Sequence, residues 1–328
     1  MTERLRDNLD DLEALVGVTA EAFDIPSAYV EKDFWVTEVL RAASVERTVA
    51  LPDGSTAPTT FTFKGGTSLS RVFGIIERFS EDVDLLAVFP TAATANARHK
   101  VLKEVDQAVR SHLALANTQV HIGSSTTGIK RYTTYLYPTR NSDRSLKEGV
   151  LLELGSRGGT QPSATHIYRS LVAEHAITAL GESKGMWEEF AEFAVNVLAP
   201  ERTLFEKLAA VHDAATRDDR DALLKHGRHF HDIHSLLGDE HVIRALEALG
   251  PEGISDLVND IESQSTASGF SSTLRPAEGY AQSPAFARDH PSSAAIRAGY
   301  EAARALLYGK AASFDSVIDS VRHRRTLL

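Results

Sequence analysis

The segment Thr59-Thr60-Phe61-Thr62-Phe63 runs without a spacer into Lys64-Gly65-Gly66-Thr67-Ser68, and this junction constrains the chain more than any other stretch. β-Branched and aromatic residues fit a strand. Leu69, Val72, Phe73 and Ile76 then recur at helical spacing, so the two glycines join a strand to a helix. Such a turn presents free backbone N–H groups and the positive end of a helix, which suits a phosphate, and Thr67 or Ser68 can add a hydroxyl. A second strand is expected at Val83–Phe89, closed by Pro90. Asp82 and Asp84 stand two apart at its start, which puts both carboxylates on one face. Two such carboxylates repel unless a cation lies between them, and hard divalent ions take oxygen ligands of this kind. Glu153 is the one acid inside Val150-Leu151-Leu152-Glu153-Leu154. In so apolar a run it is paired, coordinating or wrongly assigned to a strand.

Taken singly, each piece has an ordinary explanation: a turn with its N-cap, a solvated strand end, an edge-strand acid. The combination points to phosphate and metal chemistry, and neither rival phosphate signature, GxGxxG or GxxxxGK[ST], occurs. Elsewhere, helical spacing predicts a helix ending near Phe23 and a second from Pro26 to about Ala43. A long alanine-rich helix is expected at 92–115, strands at 119–122, 131–137 and 149–154, a loop at 155–163, and a strand at 190–197. From Thr203 the pattern is helical: 203–216, 219–237, 241–249, 254–264, 292–307 and 314–325, with a proline-bearing loop at 265–291. The expected fold class is therefore α+β, a mixed front two-thirds and a helical rear third.

Here composition narrows the functional classes. The 328 residues include no cysteine, which removes disulfides and thiolate metal sites. No run of about 18 apolar residues occurs, so no spanning helix and no membrane partner are expected. The N-terminus lacks a signal-peptide core, and the expected location is cytoplasmic. A formal charge of −10 argues against a generally basic nucleic-acid-coating surface, though a local basic groove is compatible with it.

Gly66-Thr67-Ser68, a helix-length spacer and Asp82-x-Asp84 resemble the signature of the DNA polymerase β-type nucleotidyltransferase fold. The fuller string, Phe63-Lys64-Gly65-Gly66-Thr67-Ser68-Leu69-Ser70 through Arg78-Phe79-Ser80-Glu81-Asp82-Val83-Asp84-Leu85, is similar to the AbiEii-type toxins, which include the mycobacterial MenT toxins. Val30 to Val36 resembles that family's early helix, and Arg202 to Leu208 and Arg228 to Ile233 its later lysine and aspartate motifs. The resemblance implies a nucleotidyltransferase core with a mixed sheet over residues 1–200, and a helical domain over 201–328 completing the active site. It implies phosphate binding by the Lys64-Gly65-Gly66-Thr67-Ser68 stretch, with Gly66 and Ser68 cradling the β- and γ-phosphates of an NTP. Asp82, Asp84 and Glu153 would hold Mg²⁺ or Mn²⁺, Lys207 would neutralise triphosphate charge, and Asp232 would orient or pair with Lys207. The implied function is that of a toxin of a bacterial toxin–antitoxin pair, with a cognate antitoxin. It would transfer NMP from an NTP to the 3′ end of tRNA and so block translation. A protein hydroxyl or an aminoglycoside-like small molecule is the alternative acceptor, and an inactive binding scaffold is the third reading. In some relatives a kinase-like antitoxin phosphorylates a hydroxyl at the position of Ser80, which here would repel triphosphate.

The residues themselves allow the later pair. Lys207 lies along the apolar stripe of Leu204 and Val211, so it either snorkels outward or finds an anion. Asp232, four residues after Arg228, makes either that partner or a surface helix pair worth about 0.3–0.5 kcal/mol. Arg78 contacts phosphate or, as the favoured reading, locks the turn by pairing with Glu81. His226, His229, His231 and His234 do not share one helix face, which disfavours a metal site. They are expected at a rim or in solvent, forming with Lys225 and Arg228 a basic patch that strengthens below about pH 6.5. Arg131, Arg140, Arg144 and Lys147 form a second possible acceptor surface, and Arg322 to Arg325 a third. The stretch from Arg275 to Pro291 either closes over an acceptor or packs.

Overall fold

The computed structural model describes residues 2–267, 273–304, 307 and 312–328. The elements run α1 (Leu9–Phe23), α2 (Ser27–Ala43), β1 (Arg47–Ala50), β2 (Thr56–Lys64), α3 (Gly65–Arg71), β3 (Asp82–Val88), α4 (Ala95–His112), β4 (Val120–Thr126), β5 (Lys130–Tyr135), β6 (Val150–Gly155), β7 (Ser163–Tyr168), α5 (Leu171–Thr178) and β8 (Phe193–Leu198). The remainder is helical: α6 (Pro200–Thr216), α7 (Arg220–Lys225), α8 (Gly227–Gly238), α9 (Glu240–Ala267), α10 (Ser293–Ala303) and α11 (Phe314–His323). The expected α+β class, with a mixed sheet followed by helices, is what the chain forms. It divides into two compact units, the first built from residues up to Thr67, Ser80–Ser156 and Ser163–Val197. The second comprises Ser68–Phe79, Arg157–Pro162 and Leu198–Leu328.

In the first unit the strands follow the order β4-β5-β6-β3-β2-β8-β7, with β1 added to β2. β3 lies antiparallel to β2 and parallel to β6, so the sheet is mixed. Side chains alternate across it as a period of two requires. Val150, Leu152 and Leu154 of β6 and Arg131, Thr133 and Tyr135 of β5 are buried on one face, where α2 and α4 pack. Leu151, Glu153 and Tyr132 belong to the other, more open face. Sequence reading missed β1, β7 and α5. Ser163–Tyr168 is mostly polar or exposed, so its burial pattern carries no alternation to read.

The second unit gathers Leu204, Phe205, Leu208 and Val211 of α6 with Phe230, Ile233 and Leu237 of α8, and with Phe314, Val317 and Val321 of α11. Its predicted 219–237 helix is broken at His226 into α7 and α8. At that break a Cβ on Gly227 would lie 2.0 Å from the Gly299 carbonyl, so only glycine lets α8 begin against the α10 backbone. The helices expected at 241–249 and 254–264 both form, as the two arms of Glu240–Ala267 on either side of a break at Gly250, whose φ of 64° is not helical. Part of the expected 265–291 loop, residues 268–272, and the end of the expected 292–307 helix, residues 305 and 306, lie outside the described residues. The described remainder of that loop packs rather than standing open. Tyr280, Ala285 and Phe286 are buried, and the Ser283 hydroxyl bonds His212 Nδ1 at 2.9 Å.

Candidate active site

Strand register brings the first unit's candidates together. Lys64 on β2 pairs with Asp84 on β3, Asp84 pairs with Glu153 on β6, and Glu153 pairs with Tyr132 on β5. Residues opposite one another in a sheet share a face, so these four form a row across four strands, and Asp82 stands on the same face two residues along β3. The Tyr132 hydroxyl is pushed above its ordinary pKa by burial, then by the charges of Glu153 and Asp84 and a hydrogen bond to Glu153, while Lys64 opposes. The side chains therefore converge as the register requires. Gly65 closes the row from the turn. Its φ is +84°, and a Cβ there would fall 2.1 Å from Asp84 Oδ2. Any side chain at 65 would displace that carboxylate.

The turn is tied to the strand by Thr67, whose buried hydroxyl lies 2.6 Å from the Asp82 carbonyl and 3.0 Å from Ser80 Oγ. Flanking loops are held by the charged run on α2. Glu31 accepts the backbone N–H groups of Arg140 and Asn141 at 2.9 and 2.7 Å, and Asp33 accepts that of Leu171 at 2.7 Å. Lys32, 1% exposed, donates to the carbonyls of Lys147 (2.7 Å) and Gly149 and pairs with Glu81 at 3.4 Å. Burial lowers the Lys32 pKa, with Glu81 and Asp82 opposing. Lys147 extends its exposed ammonium to within 3.6 Å of Asp82 Oδ2 and 3.7 Å of Glu81 Oε1.

In the second unit Asp232 is wholly buried between two cations. Arg78 clasps it with both ends of its guanidinium, Nε to Oδ1 at 2.6 Å and Nη2 to Oδ2 at 2.9 Å. Lys207 Nζ lies 2.9 Å from Oδ2 and 3.5 Å from His229 Nδ1. Burial disfavours the charged form of Asp232, but Arg78 and Lys207 overturn that and hold its carboxyl far below the usual carboxylate range. Burial lowers the Lys207 pKa, Asp232 resists the shift, and Arg78 adds to it. Ser68, also in this unit, is fully buried.

A family model described as "Nucleotidyl transferase AbiEii toxin, Type IV TA system" matches residues 53–319. The chain belongs to the AbiEii nucleotidyl transferase toxin family. No curated protein matches it in sequence. The AbiEii match spans the Lys64–Ser68 turn, Asp82, Asp84, Glu153, Lys207 and Asp232. Membership assigns a toxin of a type IV toxin–antitoxin system and a nucleotidyltransferase class. Among the described residues, no helix is long and apolar enough to cross a membrane.

For the divalent ion that the AbiEii resemblance implies, the donors fit in kind and in row: Asp84 faces Glu153, with Asp82 on the same face. Among the described residues they are not gathered into one three-carboxylate group, and Asp82 is turned to Lys147.

Other expectations change with the structure. Within the second unit Arg78 has a carboxylate partner that its sequence neighbours did not suggest, Asp232. Asp232 makes no surface pair with Arg228, because it faces the interior. Arg131 leaves the proposed acceptor surface. It lies on the buried face of β5 and shares Asp106 with Thr133 and Tyr135. Of the four histidines of 226–234, His226, His229 and His234 are half-buried, as a rim position allows, and His231 is buried with neither ring nitrogen hydrogen-bonded. Burial lowers the pKa of each, which favours the neutral rings and weakens the basic patch expected near pH 6.5. Sequence reading nominated neither Tyr132 nor Lys32, which the structure places beside these candidates. Nothing in the run Glu31-Lys32-Asp33 by itself signals burial, and only the loops that meet it reveal it.

Proposed function

We propose that this AbiEii-family toxin is a divalent-metal-dependent enzyme that transfers NMP from an NTP to the 3′ end of tRNA. The acceptor hydroxyl oxygen bonds to the α-phosphorus, the bond to the bridging oxygen breaks, pyrophosphate leaves and the hydroxyl proton is lost. The extended tRNA cannot be aminoacylated, and translation in the cytoplasm stops. The single observation that supports this reading is the row Lys64–Asp84–Glu153–Tyr132, with Asp82 on its face and the glycine turn at its end. Lys64, Gly65, Gly66, Thr67 and Ser68 supply the phosphate-binding turn. In it Thr67 acts by fixing the turn to the Asp82 backbone. Asp82, Asp84 and Glu153 would hold Mg²⁺ or Mn²⁺. When bound, such an ion lowers the pKa of an attacking hydroxyl and steadies the leaving pyrophosphate. Lys207 supplies charge to the nucleotide, and Asp232 sets its orientation.

The test combines purified protein, Mg²⁺, each α-³²P-NTP in turn and total bacterial tRNA on a denaturing gel, with Asp84→Ala as control. A labelled tRNA band that vanishes in the variant is the expected result. Label on protein instead of tRNA overturns the acceptor assignment, and full activity in Asp84→Ala overturns the site.

A further inference from the structure

We infer that Lys147 is an exchanged cation: it neutralises Asp82 in the free protein and passes to the nucleotide's phosphates when a divalent ion takes its place. The inference rests on the reading of Asp82 as a metal ligand. A lysine ammonium 3.6 Å from Asp82 Oδ2 occupies surroundings a metal ion on that carboxylate would need, and its charge would oppose the ion's arrival. The ammonium is free to leave, since its side chain is 63% exposed on a flexible four-carbon stem.

An ordinary surface ion pair would be the plainer account, but the backbone argues against it. The Lys147 N–H donates to Glu81 Oε2 at 2.8 Å, and its carbonyl accepts from buried Lys32 at 2.7 Å. Burying a lysine is costly even when paired. Here the buried lysine fixes the main chain of residue 147 beside Asp82 while the Lys147 head stays exposed. With a divalent ion on Asp82 the ammonium would keep Glu81, 3.7 Å away, and its exposed stem would let it also reach the phosphates of a bound nucleotide.

This exchange predicts effects of opposite sign. In Lys147→Gln the free protein loses Asp82's competitor, so Mn²⁺, followed by electron paramagnetic resonance, binds about 2–5-fold tighter. In the same variant the KM for NTP rises by a similar factor of about 2–5. Lys147→Arg restores both values toward wild type. Both main-chain anchors of residue 147 remain, and an unchanged circular dichroism melt confirms it. If Mn²⁺ affinity is unchanged or weaker in Lys147→Gln while Asp82→Asn abolishes it, the exchange is overturned and the metal site stands. If Asp82→Asn binds Mn²⁺ normally, the metal reading itself fails.

Discussion

Replacing Asp232 by Asn tests whether this residue acts first as a buried counter-charge. The change is nearly isosteric, yet it leaves Arg78 and Lys207, 2% and 7% exposed, facing a neutral amide. One of the two amide ends must also point an N–H₂ toward a cation that now touches carboxylate oxygen at 2.6–2.9 Å. Removing one partner of a buried pair costs about 3–5 kcal/mol, and two stranded cations place this case at the upper end. With a urea slope of about 2–3 kcal/mol/M, the midpoint should fall by about 1.5–2 M. The probe matters, because both tryptophans, Trp35 and Trp187, lie in the first unit. Tryptophan fluorescence therefore follows the first unit, whereas far-UV circular dichroism reports the helices of both, so the loss should appear in circular dichroism. A depressed folded-state pKa gives stability that is fully present above the unfolded value of about 3.9 and lost as pH falls through the folded one. The deficit of the Asn variant should thus be constant from pH 8 to 5. Adding Lys207→Met should recover part of the loss by removing one stranded charge. A midpoint within about 0.3 M of wild type would refute the counter-charge argument.

Gly65→Ala forces a left-handed residue costing about 1–3 kcal/mol and drives a methyl into the Asp84 carboxylate, so both melting temperature and labelled product should drop. Ser68→Ala should reduce transfer only mildly, because the turn's backbone donors remain, as a KM series would show. Lys207→Ala should raise the KM for NTP and lower the urea midpoint together, since it strips one of the two cations from Asp232. His212 and His231 are buried with lowered pKa values, so the unfolded chain takes up protons below about pH 6.5 that the folded one refuses. Stability should then fall with decreasing pH by up to about 1.4 kcal/mol per pH unit for each. Melts between pH 7 and 5 measure it, and a flat profile would contradict their burial as neutral rings.

The parts legible in the sequence were those whose physics is local. The strand-to-glycine turn at 59–68 and the Asp82-x-Asp84 spacing lie within one short stretch, and each needs only its neighbours to be interpreted. Glu153 could be nominated, because an acid in an apolar run is conspicuous, but its place opposite Asp84 depends on register between strands about 70 residues apart. Tyr132 was out of reach for a sharper reason. On β5 the buried positions are Arg131, Thr133 and Tyr135, so the alternation that normally marks the inner face is written in polar residues and points the wrong way. The polar set is tolerable only because Asp106 of α4 satisfies all three.

The same device explains most of what sequence reading misplaced. Lys32, Arg78, Arg131 and Asp232 look like surface charges in one dimension and are buried in three, each with a partner far away in the chain. Buried pairs add little net stability over apolar substitutes, but they punish misplacement, because a stranded charge costs several kcal/mol. Apolar contacts would tolerate a loop shifted by an ångström, whereas the Lys32–Glu81 pair and the Arg78–Asp232 clasp do not. In the first unit that intolerance falls on the loops beside Asp82, and in the second on the setting of Lys207. Charge burial in this chain is therefore best understood as positional control of the groups proposed to handle phosphate. It predicts that conservative apolar replacements of Lys32 together with Glu81 would leave the fold standing while loosening Lys147 and Asp82.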